Sequence, residues 1–281
     1  MDFYQNTEIQ IKKIIEQAVL EDLGTGDITT DSIISPTQEA HGIIKTSEEG
    51  VIAGLDIAMK LFEYFDPEIE FKKVAMEGQK VSPGQILAEV KGSAQAILKG
   101  ERTALNLLQR LSGIATRTSK FCEKVKDLPV HIVDTRKTTP GLRILEKYAV
   151  RVGGAKNHRY GLYDAVLIKD NHIALSGGIK YAIQSVKKNI SHMVKIEIEV
   201  EDLTQLKAAL KEGVDIILLD NMDLNTMKKA VELSGGQVLL EASGGISLER
   251  VRAIAQTGVN IISVGALTHS VQSLDINLEI V

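Results

Sequence analysis

The chain has 281 residues and a formal net charge of -4, with 44% hydrophobic, 25% charged and only 4% aromatic residues. This length suits one large α/β domain or a large and a small one, and no apolar run approaches the roughly 20 residues that span a bilayer. The acidic balance and the scarcity of aromatic rings argue against a nucleic-acid surface. The N-terminus carries neither a signal-peptide core nor an arginine-rich transit pattern, so we expect a soluble, cytoplasmic protein with no membrane partner.

Residues 1–112 predict a small α/β sandwich. A helix near residues 8–22 is followed by an irregular segment, then by strand-like residues 41–54 and a helix near 54–65. The segment EGQKVSPGQILAEVKG (77–92) predicts strands on both sides of a Pro-Gly turn. These mixed elements differ from the regular repeat of the second half of the chain and indicate a separate domain.

Two further segments complete this picture. Residues 100–125 are a long amphipathic stretch that predicts a helix bridging the two parts of the chain. That helix holds the single cysteine, Cys122, which has no disulfide or metal-site companion and is expected to be a structural thiol. The last segment, SLDINLEIV (273–281), has an apolar residue at every second position, which is typical of a half-buried strand. We expect residues 270–281 to return to the N-terminal domain.

The second half of the chain repeats a strand followed by a helical segment. Short β-branched runs end at six places: 130–135, 165–169, 195–200, 215–220, 237–242 and 260–265. Segments of helical period follow, most clearly at 201–213, 223–235 and 247–258. Such alternation predicts parallel strands with right-handed crossovers, and helices on one side of every strand close the sheet into a β/α barrel over residues 113–269. An open doubly wound sheet is the alternative.

Charged and glycine-rich residues stand at or just past the ends of these strands. They are Arg136, Lys137, Lys169, Glu199, Asp220, Ser243, Gly244, Gly245 and Gly265. In a barrel this edge is where chemistry occurs, which favours the barrel over the open sheet. Between residues 136 and 169, eight Lys and Arg residues stand against only two acidic ones, and this excess indicates a small ligand with several negative charges.

Several motifs resemble one enzyme family over nearly the whole chain. They are EDLGTGDITT (21–30), GERTALNLLQRLSGIAT (100–116), DTRKTTPGLR (134–143), NHRYGLYDAVLIKDNHI (157–173), LLDNM (218–222), EASGGI (241–246) and ISVGALTHS (262–270). In this order they are similar to quinolinate phosphoribosyltransferases, also called carboxylating nicotinate-nucleotide pyrophosphorylases. The chain departs from the family pattern at Val152, where Cys is common, and at Ala155, where a third Gly is usual.

The resemblance implies a fold, a reaction and an assembly. The fold is an N-terminal α/β sandwich, comprising 1–112 with the return of 270–281, followed by an incomplete β/α barrel over 113–269. The implied reaction joins quinolinate to phosphoribosyl pyrophosphate and gives nicotinate mononucleotide, CO2 and pyrophosphate, a step of NAD biosynthesis, with Mg2+ as cofactor. The implied assembly is a homodimer with shared active sites, possibly within a higher oligomer.

The resemblance also implies roles for individual residues. Those assigned to quinolinate are Arg102, Arg136, His158, Arg159 and Lys169, and Thr135 is a further substrate-binding residue. Lys137 is placed at the boundary between the two substrates, and Glu199 and Asp220 point at the ribose hydroxyls. The same two carboxylates are expected to meet Mg2+ through water or substrate, because this hard ion keeps several waters and needs few protein ligands. Lys137, Glu199 and Asp220 are the expected catalytic residues.

The 5-phosphate is expected at backbone N–H groups of two glycine-containing loops. These groups belong to Ser243, Gly244, Gly245, Val264, Gly265 and Ala266, at barrel loops and helix N-termini where anions are favoured. His269 is a further candidate for the phosphate or pyrophosphate. The structural alternatives are turns for the glycines, a core role for His158 and His269, and a helix cap for Asp220.

Two other functions compete with this one. A related phosphoribosyltransferase could act on another ring, such as nicotinate, or belong to the pyrophosphorylase-like proteins of molybdate-transport operons. A non-enzymatic carrier is the third possibility, because residues 77–92 resemble the hairpins of lipoyl and biotinyl domains. Lys80, however, does not stand in the sequence setting of a modified lysine.

Overall fold

The structure is a computed structural model that describes residues 5–281. The chain divides into two compact units. The first comprises Met1–Ser119, Thr138–Gly154 and Thr268–Val281, and the second comprises Lys120–Lys137 and Ala155–Leu267. None of the helices formed by residues 5–281 combines the length and the apolar character needed to cross a membrane.

In chain order the elements are α1 (Gln5–Leu23), α2 (Ile28–Ile33), β1 (Glu39–Thr46), β2 (Gly50–Val51), α3 (Leu55–Phe65), β3 (Glu70–Lys73), β4 (Lys80–Val81), β5 (Ile86–Ser93), α4 (Ala94–Val125), β6 (His131–Val133), α5 (Arg143–Val152), β7 (Val166–Ile168), α6 (Asp170–Ser176), α7 (Ile179–Asn189), β8 (Ile196–Val200), α8 (Leu203–Glu212), β9 (Ile216–Asp220), α9 (Leu224–Ser234), β10 (Leu239–Ser243), α10 (Val251–Ala255), β11 (Ile261–Ser263), α11 (Ala266–His269) and β12 (Ile276–Ile280).

The first unit contains an antiparallel four-stranded sheet in the order β12-β1-β5-β3. The C-terminal strand predicted from the period-two pattern is confirmed, because β12 pairs with β1 from Gly42↔Ile280 to Thr46↔Ile276. Along it Ile276 is buried and Ile280 is half exposed, so only the start of this strand contributes to the core. The last residues of the chain thus belong to the first sheet.

The strands on either side of the Pro-Gly turn do not pair with each other. β4 pairs with β2 in a separate two-stranded sheet, whereas β5 lies between β1 and β3. The lipoyl-like hairpin that motivates the carrier hypothesis is therefore not formed by residues 77–92. The carboxylate of Glu77 instead accepts hydrogen bonds from the amides of Gly54 and Leu55, at the start of α3.

Helix α5 belongs to the first unit, although the sequence places residues 138–154 within the barrel segment. A buried ion pair explains this grouping. The fully buried carboxylate of Glu146 accepts hydrogen bonds from Arg110 Nε and Nη2 at 2.8 and 2.6 Å. Tyr148, two residues further along the helix, donates a hydrogen bond from its hydroxyl to Glu77. These contacts and the buried face of the helix tie α5 to α4 and to the loop that holds Glu77.

The second unit is a parallel six-stranded sheet in the order β6-β11-β10-β9-β8-β7. From β7 to β11, strands that are consecutive in the chain are neighbours in the sheet, and β6 then pairs with β11. A doubly wound sheet would reverse its strand order at a switch point, and this sheet does not. The predicted α/β class with an incomplete barrel is confirmed, and β6 and β7 are the two strands between which no ladder forms within residues 5–281.

Helix caps set the spacing of the strand–helix repeat. Asp202 and Asp223 accept hydrogen bonds from the first amides of α8 and α9, and glycines in the left-handed region, Gly213 and Gly235, end the two helices. The helix predicted over 247–258 is shorter than expected, since α10 covers only Val251–Ala255. In α4, burial raises the pKa of the Cys122 thiol to about 11 and keeps it neutral.

Candidate active site

The carboxyl ends of the parallel strands carry the polar residues singled out in the sequence. Lys169 follows β7, Glu199 lies near the end of β8, and Asp220 and Ser243 end β9 and β10. The last two residues stand directly opposite each other in the register. Because all six strands are parallel, these ends meet at one edge of the sheet, where barrels place their chemistry.

Alternation along the strands gives the inner face of this sheet an acidic character. Glu199 and Glu241 both stand opposite Leu218 in the register, on β8 and β10. Glu197 precedes Glu199 by two residues and therefore shares its face. The alternate residues of β8, which are Ile196, Ile198 and Val200, are buried on the other face. The inner face thus holds carboxylates where a purely structural barrel would hold aliphatic side chains.

An ion pair joins Lys169 and Glu199 at this edge. Lys169 Nζ lies 2.7 Å from Glu199 Oε2, and the two side chains are 47% and 12% exposed. The backbone amide of Lys169 donates to His172 Nδ1 at the start of α6, which fixes the point at which the lysine leaves the strand. The pair keeps a half-exposed cation beside a carboxylate. A ligand that binds Lys169 can therefore replace Glu199 as its partner, and one that binds Glu199 can replace Lys169.

Arg159 carries a partly desolvated positive charge near the end of β6. Its side chain is half-buried, and its Nη1 donates to the carbonyl oxygen of Ala165 at 3.0 Å. The pKa of Arg159 is lowered, first by burial and then by the positive charge of Arg136, whereas the carboxylates of Glu197 and Asp164 oppose the shift. This partly desolvated guanidinium is a candidate anion site.

Asp134 anchors the segment that carries Arg159. This residue follows β6 and is fully buried. Its two carboxylate oxygens accept hydrogen bonds from Asn157 Nδ2 at 2.7 Å and from the backbone amide of His158 at 2.8 Å. Sequence reasoning did not include Asp134 among the site residues, although it stands at a strand end next to Thr135 and Arg136. Asp134 therefore has a structural role in this motif, because its hydrogen bonds fix the backbone just before Arg159.

His158 reaches two buried glutamates on the inner face of the sheet. Its Nε2 lies 3.0 Å from Glu197 Oε2 and 3.7 Å from Glu241 Oε2. The three side chains line a cavity of about 370 Å3 together with Arg159 and Asp164. Burial, followed by the negative charge of Glu197, raises the pKa of Glu241 to about 7 against the opposing influence of His158 and Ser263.

Neither Glu197 nor Glu241 was predicted as a site residue. The signal was present in the strand KIEIEV, where a period of two places Glu197 on the face of Glu199. In EASGGI, Glu241 precedes Ser243 by the same two residues. A donor atom from each of His158, Glu197 and Glu241 lies within 4.8 Å of the others, a spacing at which such groups can also hold a metal ion.

The glycine loops after β10 and β11 differ in what they offer an anion. Gly244 and Gly245 both lie in the left-handed region, with φ of 92° and 58°, and a β-carbon on Gly244 would collide with the side chain of Asn221. The amide of Val264 donates to the carbonyl oxygen of Val133, so it serves the sheet and is not open to a phosphate. Ala266 begins α11, a helix of four residues, so a helix dipole adds little here.

The remaining predicted residues fall in different places. Thr135 and Lys137 follow β6, and the hydroxyl of Thr135 accepts a hydrogen bond from the amide of Lys137 at 3.1 Å. Arg102 and His269 belong to the first unit. Arg102 is exposed on α4, with Nη2 3.9 Å from Glu101, and His269 Nδ1 lies 2.7 Å from Ser270 Oγ. The second unit therefore contains every predicted residue except these two.

Comparison with known proteins identifies the family. Residues 27–112 match the model of the quinolinate phosphoribosyl transferase N-terminal domain, and residues 114–279 match that of the C-terminal domain. The chain belongs to the quinolinate phosphoribosyl transferase family. Together the two family domains account for nearly all of the residues that form the three sheets.

Relatives in this family are similar over almost their whole length. A probable nicotinate-nucleotide pyrophosphorylase [carboxylating] of Bacillus subtilis is 46% identical over 272 residues, which are 97% of this chain and 94% of that protein. A probable enzyme of the same name from Methanocaldococcus jannaschii is 44% identical and covers 96% of each chain. The crystal structure of NadC from Streptococcus pyogenes is 38% identical, with a TM-score of 0.94 over 99% of this chain and 98% of that one. The fold of this chain is thus that of the Streptococcus pyogenes NadC structure over nearly its whole length.

Proposed function

We propose that this chain transfers the phosphoribosyl group of phosphoribosyl pyrophosphate to the ring nitrogen of quinolinate. The products are nicotinate mononucleotide, CO2 and pyrophosphate, and the reaction is a step of NAD biosynthesis. Membership of the family supports this assignment, as do the names of relatives that are 44–46% identical. The site supports it independently, because both substrates are polyanions and the barrel edge concentrates cations.

The partly desolvated cation of Arg159, which feels the positive charge of Arg136, is the observation that carries the proposal. A single monoanion needs one guanidinium, whereas quinolinate carries two neighbouring carboxylates and can use both groups, each with a bidentate fork. Lys169 adds a third cation at the same edge and is already beside a carboxylate. We assign these three residues to quinolinate, with Thr135 beside them and Lys137 next to the second substrate. Arg102 is assigned to the same ligand on the basis of the family resemblance.

Glu199 and Asp220 are proposed to hold the ribose hydroxyls. Both are carboxylates at strand ends, and Asp220 accepts a hydrogen bond from Asn221 Nδ2 that orients it. Oxygen donors in a half-exposed place also fit a Mg2+ ion that keeps most of its waters and arrives with the pyrophosphate. When bound, Mg2+ would neutralise charge on the departing pyrophosphate. The two carboxylates themselves orient the ribose and stabilise positive charge as it develops on C1.

The 5-phosphate is proposed to lie at the loop from Ser243 to Gly245 and at Gly265 and Ala266. In the first loop two consecutive left-handed glycines turn the backbone so that amides can point toward one ligand. Val264 is proposed only as a neighbour of the phosphate and not as a hydrogen-bond donor to it, since its backbone amide donates to Val133 in the sheet. His269 remains a proposed partner of the phosphate or pyrophosphate.

Decarboxylation follows from bond formation at the ring nitrogen. The nitrogen lone pair forms the bond to C1 while the C1–O bond to pyrophosphate breaks, so the ring nitrogen becomes positively charged. The 2-carboxylate can then leave as CO2, because the electron pair left on C2 is stabilised by the adjacent cationic nitrogen. A proton from water or from the site completes the product. The protein contributes orientation and electrostatic stabilisation, not a covalent intermediate.

We further propose a homodimer with shared active sites and a cytoplasmic location. The dimer rests on the implied role of Arg102, which is exposed on α4.

The decisive assay measures release of labelled CO2 from quinolinate labelled in its 2-carboxylate. With phosphoribosyl pyrophosphate and Mg2+ we expect CO2 and nicotinate mononucleotide in equal amounts. A parallel reaction with nicotinate tests the alternative ring, and turnover of nicotinate without that of quinolinate would assign the chain to the related activity. The intact mass of the purified protein tests the carrier hypothesis, which requires a lipoyl or biotinyl adduct.

A further inference from the structure

The cluster of His158, Glu197 and Glu241 is not explained by substrate binding. Glu197 and Glu241 are 4% and 1% exposed. One oxygen of each, Oε1, is buried and has no hydrogen-bond partner among the residues that the structure describes. Buried carboxylates without partners are costly, so their retention inside the sheet calls for a function.

The hydrogen bonds of His158 fix its tautomer. Nδ1 accepts the backbone amide of Arg159 at 2.8 Å, so this nitrogen carries no proton. Nε2, which faces Glu197 Oε2 at 3.0 Å, therefore carries the proton and donates it. Both ring nitrogens are thus engaged inside the protein, and the ring links the backbone of Arg159 to the acid pair.

The surroundings of Glu241 favour its neutral form. Glu197 is the nearer acceptor of the His158 proton, and its negative charge acts favourably on the Arg159 guanidinium. Glu241 lies farther from Nε2, at 3.7 Å. Its pKa is raised by burial, by the negative charge of Glu197 and by a hydrogen bond with Glu197, against the opposing influence of His158 and Ser263. One cation and one N–H group can balance one carboxylate, so the second is most stable as a neutral acid.

A metal ion fits this cluster less well than a proton does. A metal bound at Nε2 would need that nitrogen unprotonated. The imidazole proton would then move to Nδ1, and the hydrogen bond from the Arg159 amide would be lost. That hydrogen bond is formed, which favours the arrangement with an N–H group at Nε2.

We propose that Glu197 and Glu241 are positioning residues of the anion site. Glu197 accepts the hydrogen bond from His158, Glu241 is a neutral carboxylic acid, and the pair holds His158 with its proton on Nε2, so that Nδ1 fixes the backbone of Arg159. Asp134 holds the preceding amide, and the two anchors together set the direction of the Arg159 side chain. His158 then acts through Arg159 and not as a ligand of the substrate.

Two spectroscopic measurements test this arrangement without any substrate. Infrared difference spectra at pH 6, where an exposed glutamate is ionised, should show the band of a neutral carboxyl that disappears in Glu241→Gln. Glu232→Gln, which alters an exposed carboxylate of α9, is the matched control and should leave the band in place. In protein labelled with 15N-histidine, the signal assigned to His158 by its loss in His158→Asn should be that of the Nε2–H tautomer.

A kinetic rescue tests the positioning role, and this part rests on the proposed function. His158→Ala should raise the KM for quinolinate about tenfold or more and change the KM for phosphoribosyl pyrophosphate by less than about threefold. His158→Asn places an oxygen near the position of Nδ1, where it can accept the Arg159 amide, and should recover most of that loss. His158→Gln keeps a donor for Glu197 but lacks an acceptor for the amide, and should recover little.

Each outcome is decisive. An absent carboxyl band, an Nδ1–H tautomer, or a stoichiometric divalent metal that Glu241→Gln removes would overturn the proton arrangement. Equal defects in His158→Asn and His158→Ala would overturn the positioning role and return His158 to direct substrate binding. Absence of any quinolinate turnover by the wild-type protein would refute the proposed function instead, and the spectroscopic results would still decide the state of the acid pair.

Discussion

Replacement of Arg159 by alanine should separate the two substrates. The guanidinium is half-buried and close to Arg136, so its environment has an effective dielectric well below that of water. A carboxylate about 4 Å away then interacts with it by about 4 kcal/mol at an effective dielectric of roughly 20. The net loss of binding free energy is smaller, about 2–4 kcal/mol, because the substitution also removes the repulsion that Arg159 exerts on Arg136 and because solvent screens part of the interaction. That loss weakens quinolinate binding about 30- to 1000-fold.

Titration calorimetry with quinolinate and, separately, with phosphoribosyl pyrophosphate measures this effect directly. We expect the dissociation constant for phosphoribosyl pyrophosphate to change by less than about threefold, because Arg159 belongs to the anion site near β6 and not to the glycine loops. Arg252→Ala is the matched control, since Arg252 forms an exposed ion pair with Asp127 in the same unit. Equal losses for the two ligands, or a loss for quinolinate no larger than that of the control, would refute the assignment.

Three further predictions concern other parts of the molecule. Glu199→Gln and Asp220→Asn should chiefly lower kcat and flatten the response of activity to Mg2+, and an unchanged Mg2+ titration in both variants would remove that role. Arg102→Ala and Lys137→Ala proteins should each be nearly inactive. After subunits of the two variants are exchanged, activity should recover to about a quarter of wild type, because half of the dimers are mixed and each mixed dimer holds one intact site. Native mass spectrometry confirms the exchange, and heterodimers without activity would show that Arg102 does not act across subunits. The pKa of Glu241 is raised to about 7, so between its ordinary value near 4.5 and pH 7 the folded chain retains a proton that the unfolded chain has lost. The free energy of unfolding in urea should therefore fall as pH rises through that window, and the fall should be smaller in Glu241→Gln.

The sequence predicted the parallel sheet and its polar edge because both depend on local patterns. Each β-branched run ends at the residue where its strand ends to within one or two positions, and the Asp and Gly caps of α8 and α9 are visible as letters. The strand alternation also contained the acidic inner face, but Glu197 was passed over in favour of Glu199. The two glutamates lie on the same face of β8 and differ only in how far each stands from the end of the sheet. That distance depends on the register between β8 and β9, which the sequence of one strand does not reveal.

Other features depend on contacts between residues distant in sequence. The segment 138–154 joins the first unit because Glu146 pairs with Arg110, 36 residues earlier in the chain. The partner of β4 is β2 and not β5, although β5 is closer in sequence, so the hairpin expected around the Pro-Gly turn is absent from residues 77–92. The tautomer of His158 likewise follows from an amide and a carboxylate that only the fold brings to its two sides.

The contact between Gly244 and Asn221 limits the order in which these two positions can be substituted during evolution. Gly244 lacks a side chain for two separate reasons, a left-handed backbone and the Asn221 side chain that fills the space beside it. Asn221 in turn follows Asp220, and the backbone amide of Asn221 donates to the carbonyl oxygen of Ser243. A lineage that replaces the glycine first meets a steric conflict with the Asn221 side chain. One that first shortens residue 221 relieves that conflict and still meets the backbone strain and the backbone nitrogen of residue 221, 3.0 Å from the added carbon. The two loops are therefore expected to diverge together, with position 221 changing before position 244.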